Sequence, residues 1–238
     1  MKEILKGIRK ADEDFHLIDD GDCIVVGVSG GKDSMALLFA LCIYQQFRVK
    51  NFNIIAVHIN LGFKENDMSP IQEFTSKYKI PLHIVNTSIY KILKLYKKKD
   101  STIDCSRCSN LKRGAIVNIA KELKANKIAF AHHGDDAIET LWMNAIYSSK
   151  LNTFEPKIFY QNNQITLIRP MVYLQEKNIM KAVKRYSIPY IESGCPKDKM
   201  SSRAKIKELL LSIEKINPHA KSNMINALKY NENIWNTK

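Results

Sequence analysis

"VVGVSGGKDSMALLFALCIYQQF", Val25 to Phe47, sets two glycines and a group of small polar and charged residues between an apolar run and an amphipathic stretch. The run before it, "CIVVGVS" (Cys23 to Ser29), is short, β-branched and continuous, as a buried strand is. The stretch after it, Ser34 to Phe47, reads as a helix. A strand–turn–helix in this order leaves the free N–H groups of the helix start pointing outward, and the helix dipole favours negative charge there. Gly30 and Gly31 let the backbone approach an anion with no Cβ in the way. Ser29 and Ser34 offer hydroxyl hydrogen bonds, Lys32 adds a point charge and Asp33 completes the turn. The spacing is neither Walker A nor Gly-x-Gly-x-x-Gly. A plain capped turn needs a glycine but not this whole set.

Working outward, the same alternation recurs. "NIIAVHI" (Asn53 to Ile59), "PLHIVN" (Pro81 to Asn86) and "KIAFAHH" (Lys127 to His133) read as further strands. Helical patterns lie between and after them at Ser69–Lys79, Ser109–Lys124 and Asp136–Tyr147. Strands alternating with helices predict an α/β fold, a doubly wound parallel sheet of about five strands. After Ser148 the pattern loosens: "KLNTFEPKIFYQNNQITLIRP" reads as a loop and then a short strand near Thr166 to Ile168. Helices follow at about Gln175 to Tyr186, Ser201 to Ile216 and Ala220 to Tyr230. The expected organisation is a helical extension over 1–20, the sheet domain that carries the glycine turn over 21–200 and a helical extension over 201–238. Those extensions are candidates for burial in a homodimer.

Composition narrows the class. The chain has 238 residues, 45% of them hydrophobic and 26% charged, as ordinary soluble domains have. No apolar run approaches the roughly 20 residues that span a bilayer, and the charged N-terminus lacks a signal-peptide core. These features predict no membrane partner and a cytoplasmic protein with reduced thiols. Thirty-seven Lys and Arg against 24 Asp and Glu give a formal charge of +13. Such a surplus attracts polyanions, although solvated lysine faces also produce it. "YKILKLYKKKD" (Tyr90 to Asp100) interleaves lysine with tyrosine, as a nucleic-acid surface does.

Of five cysteines, Cys23 in a strand and Cys42 in an apolar helix read as small buried hydrophobes. Cys105 and Cys108, in "STIDCSRCSNLKRG", stand at i and i+3, so a helix starting nearby puts both sulfurs on one face. Cys195, between glycine and proline in "IESGCPKDK", sits in a turn suited to a third ligand. Three cysteines fall short of the usual four-ligand structural zinc site; a redox pair and an iron–sulfur cluster with one unligated iron are the other readings.

"AHHGDDAIET" sets His132, His133, Asp135 and Asp136 at the end of the fourth strand, on the edge where open α/β sheets bind ligands. Either aspartate suits a helix cap, and Asp135 also suits Mg²⁺ on a phosphate. Arg169 suits a phosphate or a carboxylate, and Lys181, Lys184, Arg185, Lys205 and Lys207 read as solvated faces.

Ser-Gly-Gly-Lys-Asp-Ser resembles the PP-loop of the ATP pyrophosphatases, which split ATP to AMP and pyrophosphate. That resemblance implies adenylation of a carbonyl oxygen, with adenine near Gly27, Val28 and Val57-His58-Ile59. Cys-Ser-x-Cys-Ser with Leu-Lys-Arg-Gly, then "HHGDDAIETLWMN" and "IRPMVYLQEKNI", further resembles the tRNA 2-thiocytidine synthetases from about Asp20 to Ser202. What this implies is a 4Fe-4S cluster on Cys105, Cys108 and Cys195, catalytic roles for Lys112 and Asp135, and ATP with Mg²⁺. Its implied partners are a tRNA whose cytidine 32 gains sulfur at carbon 2 and a separate sulfur donor. A related thiolase group that modifies uridine 54 carries two zinc fingers, and the cysteine and histidine pairs these need are missing at both ends of this sequence. Two departures stand out: Arg169-Pro170-Met171 replaces the common Arg-Pro-Leu, and the surroundings of Cys195 match only loosely. Competing readings are an amine-using PP-loop ligase, a persulfide-relay or zinc-stabilised enzyme, and an RNA-binding module without turnover.

Overall fold

Strand β1 (Cys23–Gly27) is the axis of the molecule, flanked on both sides by parallel neighbours. In the computed structural model, which describes residues 1–62, 67–96, 105–191, 202–230 and 234–235, a six-stranded sheet runs in the order β3-β2-β1-β4-β6-β5. Its members are β2 (Asn53–Asn60), β3 (Leu82–Asn86), β4 (Lys127–Ala129), β5 (Lys157–Tyr160) and β6 (Ile165–Ile168). All neighbouring pairs are parallel except β5 with β6. The strand order reverses between β1 and β4, which opens a crevice at their carboxyl ends.

The sheet is doubly wound, with one strand more than expected. "KIFY", read as loop from the sequence, is the antiparallel edge strand β5, joined to β6 by a tight turn over Gln161–Asn163. β4 is shorter than its apolar run, because the chain leaves the sheet at Phe130 to carry the histidines and aspartates.

Alternate residues serve two cores. Ile24 and Val26 of β1, with Ala129 of β4, face the larger one. Val25 and Ile128 face the smaller one, which α5 (Cys105–Glu122) covers with Ile116, Val117 and Ala120. On the larger side α2 (Lys32–Gln46) lies buried from Ser34 to Cys42, not half-exposed as an amphipathic helix would be. The reason is a second cover of α1 (Lys2–Phe15) and α7 (Glu176–Arg185) over its outer face. Helices α3 (Ser69–Lys77), α6 (Gly134–Ser148), α8 (Ser202–Ile216) and α9 (Ala220–Tyr230) add to that layer, and α4 (Ile89–Leu95) leads into α5. Ile4 and Ile8 of α1, Leu210 of α8 and Leu228 of α9 belong to the same core, so both ends of the chain fold onto the sheet domain. Cys42 is buried as expected, while Cys23 is only half-buried at the strand start. Among the described residues no helix is long and apolar enough to cross a membrane.

Candidate nucleotide and thiolate site

Three helix N-termini meet at the carboxyl edge of the sheet: α2 after Gly31, α6 after His133 and α7 after Gln175. Each contributes outward N–H groups and the positive end of a dipole, the arrangement that suits a phosphate.

The turn leading into α2 is closed by its own hydroxyls. The Gly31 N–H donates to Ser29 Oγ at 3.3 Å, Ser29 Oγ and Ser34 Oγ share a hydrogen bond at 3.1 Å, and Ser34 Oγ donates to the Gly31 carbonyl at 2.9 Å. Gly30 has φ +90, a conformation that side chains strain, so glycine is required there. Its carbonyl accepts the Ile191 N–H at 2.8 Å. The loop is therefore closed by hydrogen bonds within its own chain. Lys32 reaches Asp33 at 2.8 Å and Glu176 of α7 at 2.9 Å. Burial pulls the Lys32 pKa down, but these two carboxylates outweigh it and raise it.

Behind the loop, the Val28 N–H donates to the Val57 carbonyl at 2.9 Å, and the Val28 carbonyl meets His58 Nδ1 at 2.8 Å. Burial lowers the His58 pKa, partly offset by that carbonyl. A Cβ on Gly27 would stand 2.9 Å from Phe130 and 3.0 Å from Ile116. The missing side chain lets both pack over the end of β1. The residues expected near adenine thus come together, with Val57 buried and His58 and Ile59 half-buried.

The second half of the site hangs on α6. His133 caps the helix: its N–H donates to Asp136 Oδ2 at 3.0 Å, and its ring lies 3.9 Å from Asp33 and 3.8 Å from Asp135. The Gly134 N–H donates to the Leu174 carbonyl at 2.7 Å, pinning the start of α6 beside the start of α7. Asp135 is buried and has both oxygens committed, one to the Glu176 N–H at 2.8 Å and one to Lys221 at 3.2 Å. Each oxygen thus already accepts one hydrogen bond, and a Mg²⁺ held there would share the carboxylate with the Lys221 ammonium. Arg203 of α8 pairs with Asp136 and Glu139, each at 3.5 Å, and Lys207 of α8 reaches Glu176 at 2.6 Å. Burial raises the Glu139 pKa against the pull of Arg203.

Arg169 is buried, its guanidinium 4.8 Å over the Phe154 ring and donating to the Glu155 carbonyl, and burial lowers its pKa to about 10. His132 lies against Phe130 and Phe154, and burial, followed by Arg169, lowers its pKa to about 4. It is therefore neutral at pH 7.

Helix α5 supplies the thiols. It runs antiparallel to the strands, since it leads from the end of β3 through α4 to the start of β4, so its N-terminus lies at the edge that holds the loop. Cys105, Cys108, Lys112 and Ile116 fall within about 80° of one another around a helix. Ile116 packs at Gly27, which places Lys112 about 6 Å and Cys108 about 12 Å further along the axis, beyond the end of β1. Cys105 and Lys112 are exposed and Cys108 is half-buried. Two thiols one turn apart at a helix N-terminus are a donor set that fits thiolate ligation of iron or zinc. Among the described residues no three His, Cys, Asp or Glu converge as metal ligands. Cys195 lies outside the described residues; Ile191, bonded to Gly30, is four residues before it in sequence.

Residues 3–213 match the family model of the PP-loop domain. The chain is 35% identical over 229 residues to the tRNA-cytidine(32) 2-sulfurtransferase of Pelobacter propionicus, covering 95% of this chain and 85% of that one. It is likewise 35% identical to that of Syntrophotalea carbinolica, covering 95% and 88%.

The chain belongs to the PP-loop tRNA-cytidine(32) 2-sulfurtransferase family.

Its fold resembles that of the U34-tRNA thiolase NcsA from Methanococcus maripaludis, described with its [4Fe-4S] cluster, at TM-score 0.77 and 22% identity over 95% of this chain and 76% of that one. It also resembles the NH3-dependent NAD synthetase of Campylobacter jejuni, at TM-score 0.51 and 16% identity over 95% and 92%. In this PP-loop protein, Glu176, Lys221 and Arg203 are charged residues that sequence reasoning missed, and Lys207, read as a solvated face, is the partner of Glu176. An acidic residue opening a helix is common, and nothing local marks Glu176 as a partner of Lys32.

Proposed function

We propose that this protein is an ATP-dependent tRNA sulfurtransferase that adenylates the carbonyl oxygen on carbon 2 of a pyrimidine, cytidine 32 by likeness to its relatives, and replaces that oxygen with sulfur. The observation that carries the reading is the face of α5 on which Cys105, Cys108 and Lys112 stand beyond the end of β1, where the phosphate turn begins.

The first turn of α2, with Ser29, Ser34 and Lys32, binds the phosphates of ATP, and Gly27, Val28 and Val57 to Ile59 back the adenine. Mg²⁺ enters with the nucleotide phosphates. The base oxygen O2 attacks the α-phosphorus; the new O–P bond forms as the bond to the β-phosphate oxygen breaks, and pyrophosphate leaves. Lys112, a cation on the open face of α5, offsets charge on the adenylated oxygen. A sulfur nucleophile then adds to carbon 2, the C–O bond breaks, and AMP departs carrying the former base oxygen. Asp135 acts at one remove, holding α7 and thereby Glu176 and Lys32. When bound, a 4Fe-4S cluster on Cys105, Cys108 and Cys195 supplies an iron with an open position for the incoming sulfur. Such chemistry belongs in the cytoplasm, where thiols stay reduced.

The test is metal and acid-labile sulfide analysis of anaerobically purified and reconstituted protein, with mass spectrometry of tRNA treated with ATP and sulfide. About four iron and four sulfide per chain, lost in Cys105→Ala, Cys108→Ala and Cys195→Ala together with 2-thiocytidine formation, is the expected result. Stoichiometric zinc, or full activity without metal, moves the reading to a zinc-stabilised or persulfide enzyme. Unmodified tRNA with amine-dependent AMP release would move it to a ligase.

A further inference from the structure

Gly114 stands in the middle of α5, where glycine costs about 1 kcal/mol relative to alanine. Elsewhere in this chain packing explains the helical glycines. A Cβ on Gly7 would stand 2.4 Å from Leu174, and one on Gly134 would stand 2.4 Å from Ile225. At Gly114 an added Cβ meets nothing within 4 Å. No contact within the described residues requires the glycine, yet its absent side chain shapes a surface feature.

Gly114 is the floor of an open groove of about 240 Å³ between α5 and the β5–β6 turn. Asn110 and Asn118 stand one turn to either side of it on α5, with Arg113 beside it. Tyr160 and Asn163 form the opposite wall. Arg113 donates to Asn110 Oδ1 at 2.6 Å, which fixes the guanidinium at the rim and leaves other N–H groups to offer. None of the described residues lining the groove is acidic. Gly114 lies about 9 Å from Cys108 along the helix axis and about 120° around it, so the groove opens on the other flank of α5 from Cys105 and Lys112.

We propose that this groove seats an unpaired nucleotide of the substrate RNA other than the one that is modified. Three amides match the donor and acceptor edges of a base, Tyr160 offers a ring to stack on, and Arg113 meets a phosphate. Glycine at the floor lets the nucleotide lie against the helix backbone. The inference rests on the reading of tRNA as substrate and adds the place on this chain that holds it.

The test measures binding of the intact chain to a fluorescent anticodon stem–loop, with thermal melting and ATP binding measured in parallel. Gly114→Leu fills the floor with a good helix former. Its melting temperature is expected to hold or rise and its ATP affinity to stay unchanged. RNA affinity is expected to fall about tenfold, the equivalent of losing one stacked base. Gly114→Ala, a smaller step that stabilises the helix, is expected to weaken RNA binding in the same direction. Arg113→Gln is expected to flatten the salt dependence of binding by about one phosphate contact. Unchanged RNA affinity in Gly114→Leu, or in Gly114→Ala where the leucine variant fails to fold, overturns the groove. Failure of the unaltered protein to bind any tRNA overturns the functional reading itself.

Discussion

Replacing Glu176 by glutamine removes one charge from the point where the phosphate turn meets the C-terminal helices. The carboxylate shares its oxygens between Lys32 at 2.9 Å and Lys207 at 2.6 Å. Burial alone would raise its pKa, but hydrogen bonds from Lys207 and then Lys32 take it from 4.5 to about 2. A drop of that size corresponds to about 3 kcal/mol between the two protonation states. Solvent reaching the 28% exposed side chain and the 45% exposed Lys207 screens this to about 1–2 kcal/mol. The sign follows from the depressed folded pKa. The contribution is full above the unfolded value of 4.5 and is lost as pH falls from there toward 2. Glutamine does not titrate, so the gap between the two proteins is widest at neutral pH and closes in acid. Urea denaturation at pH 7, 5, 4 and 3.5 measures it without the salt screening that guanidinium brings. A gap that is absent at pH 7, or equally large at pH 7 and 3.5, would refute the charge-sharing account.

Two further perturbations separate the loop from its scaffold. Gly30→Ala finds room beside Ile71 and Ile191, yet its φ of +90 carries a strain of about 1–2 kcal/mol. Calorimetry is expected to show weaker binding of a non-hydrolysable ATP analogue and thermal scans a lower melting temperature; unchanged values in both would remove the need for that backbone conformation. Lys127→Met breaks the buried contacts of the ammonium with Asp22 at 2.6 Å, Asp19 at 2.7 Å and the Leu17 carbonyl at 2.9 Å. It strands a buried carboxylate, so a loss of about 3–5 kcal/mol is expected, and calorimetric melting that matches the unaltered protein would contradict it.

What the sequence shows and hides follows from the range of each interaction. The turn from Ser29 to Ser34 is legible because every group that closes it lies within six consecutive residues. β1, β2 and β3 are legible because their apolar runs are continuous and bounded by turns. β5 is hidden because "KIFY" is four residues of an edge strand between a Glu-Pro and a polar turn, too short for alternation to register. The shared face of Cys105 and Cys108 is legible from helical spacing and Lys112 from the family resemblance, and α5 starts at Cys105, four residues before the pattern at Ser109 suggests. Lys207, which reads as a solvated face, is the partner of Glu176, 31 residues away in sequence. Asp135 looks like a free carboxylate at a strand end because Lys221, which occupies it, belongs to the last helix.

That last placement changes how the end of the chain relates to the site. Lys207 and Lys221 come from α8 and α9, and each ends on a group at the α6–α7 junction. From there the contacts run without a break: Lys221 to Asp135, Asp135 to the Glu176 backbone, and the Glu176 carboxylate to Lys32 in the phosphate turn. Removing α8 and α9 would therefore leave Asp135 buried without its cation and Glu176 with one lysine in place of two. On the proposed reading, a phosphate arriving at Lys32 competes with Glu176 for the same ammonium, while Lys207 holds the carboxylate it displaces. The terminal helices thus act on the candidate nucleotide site through charge balance, while their apolar faces seal the core beneath it.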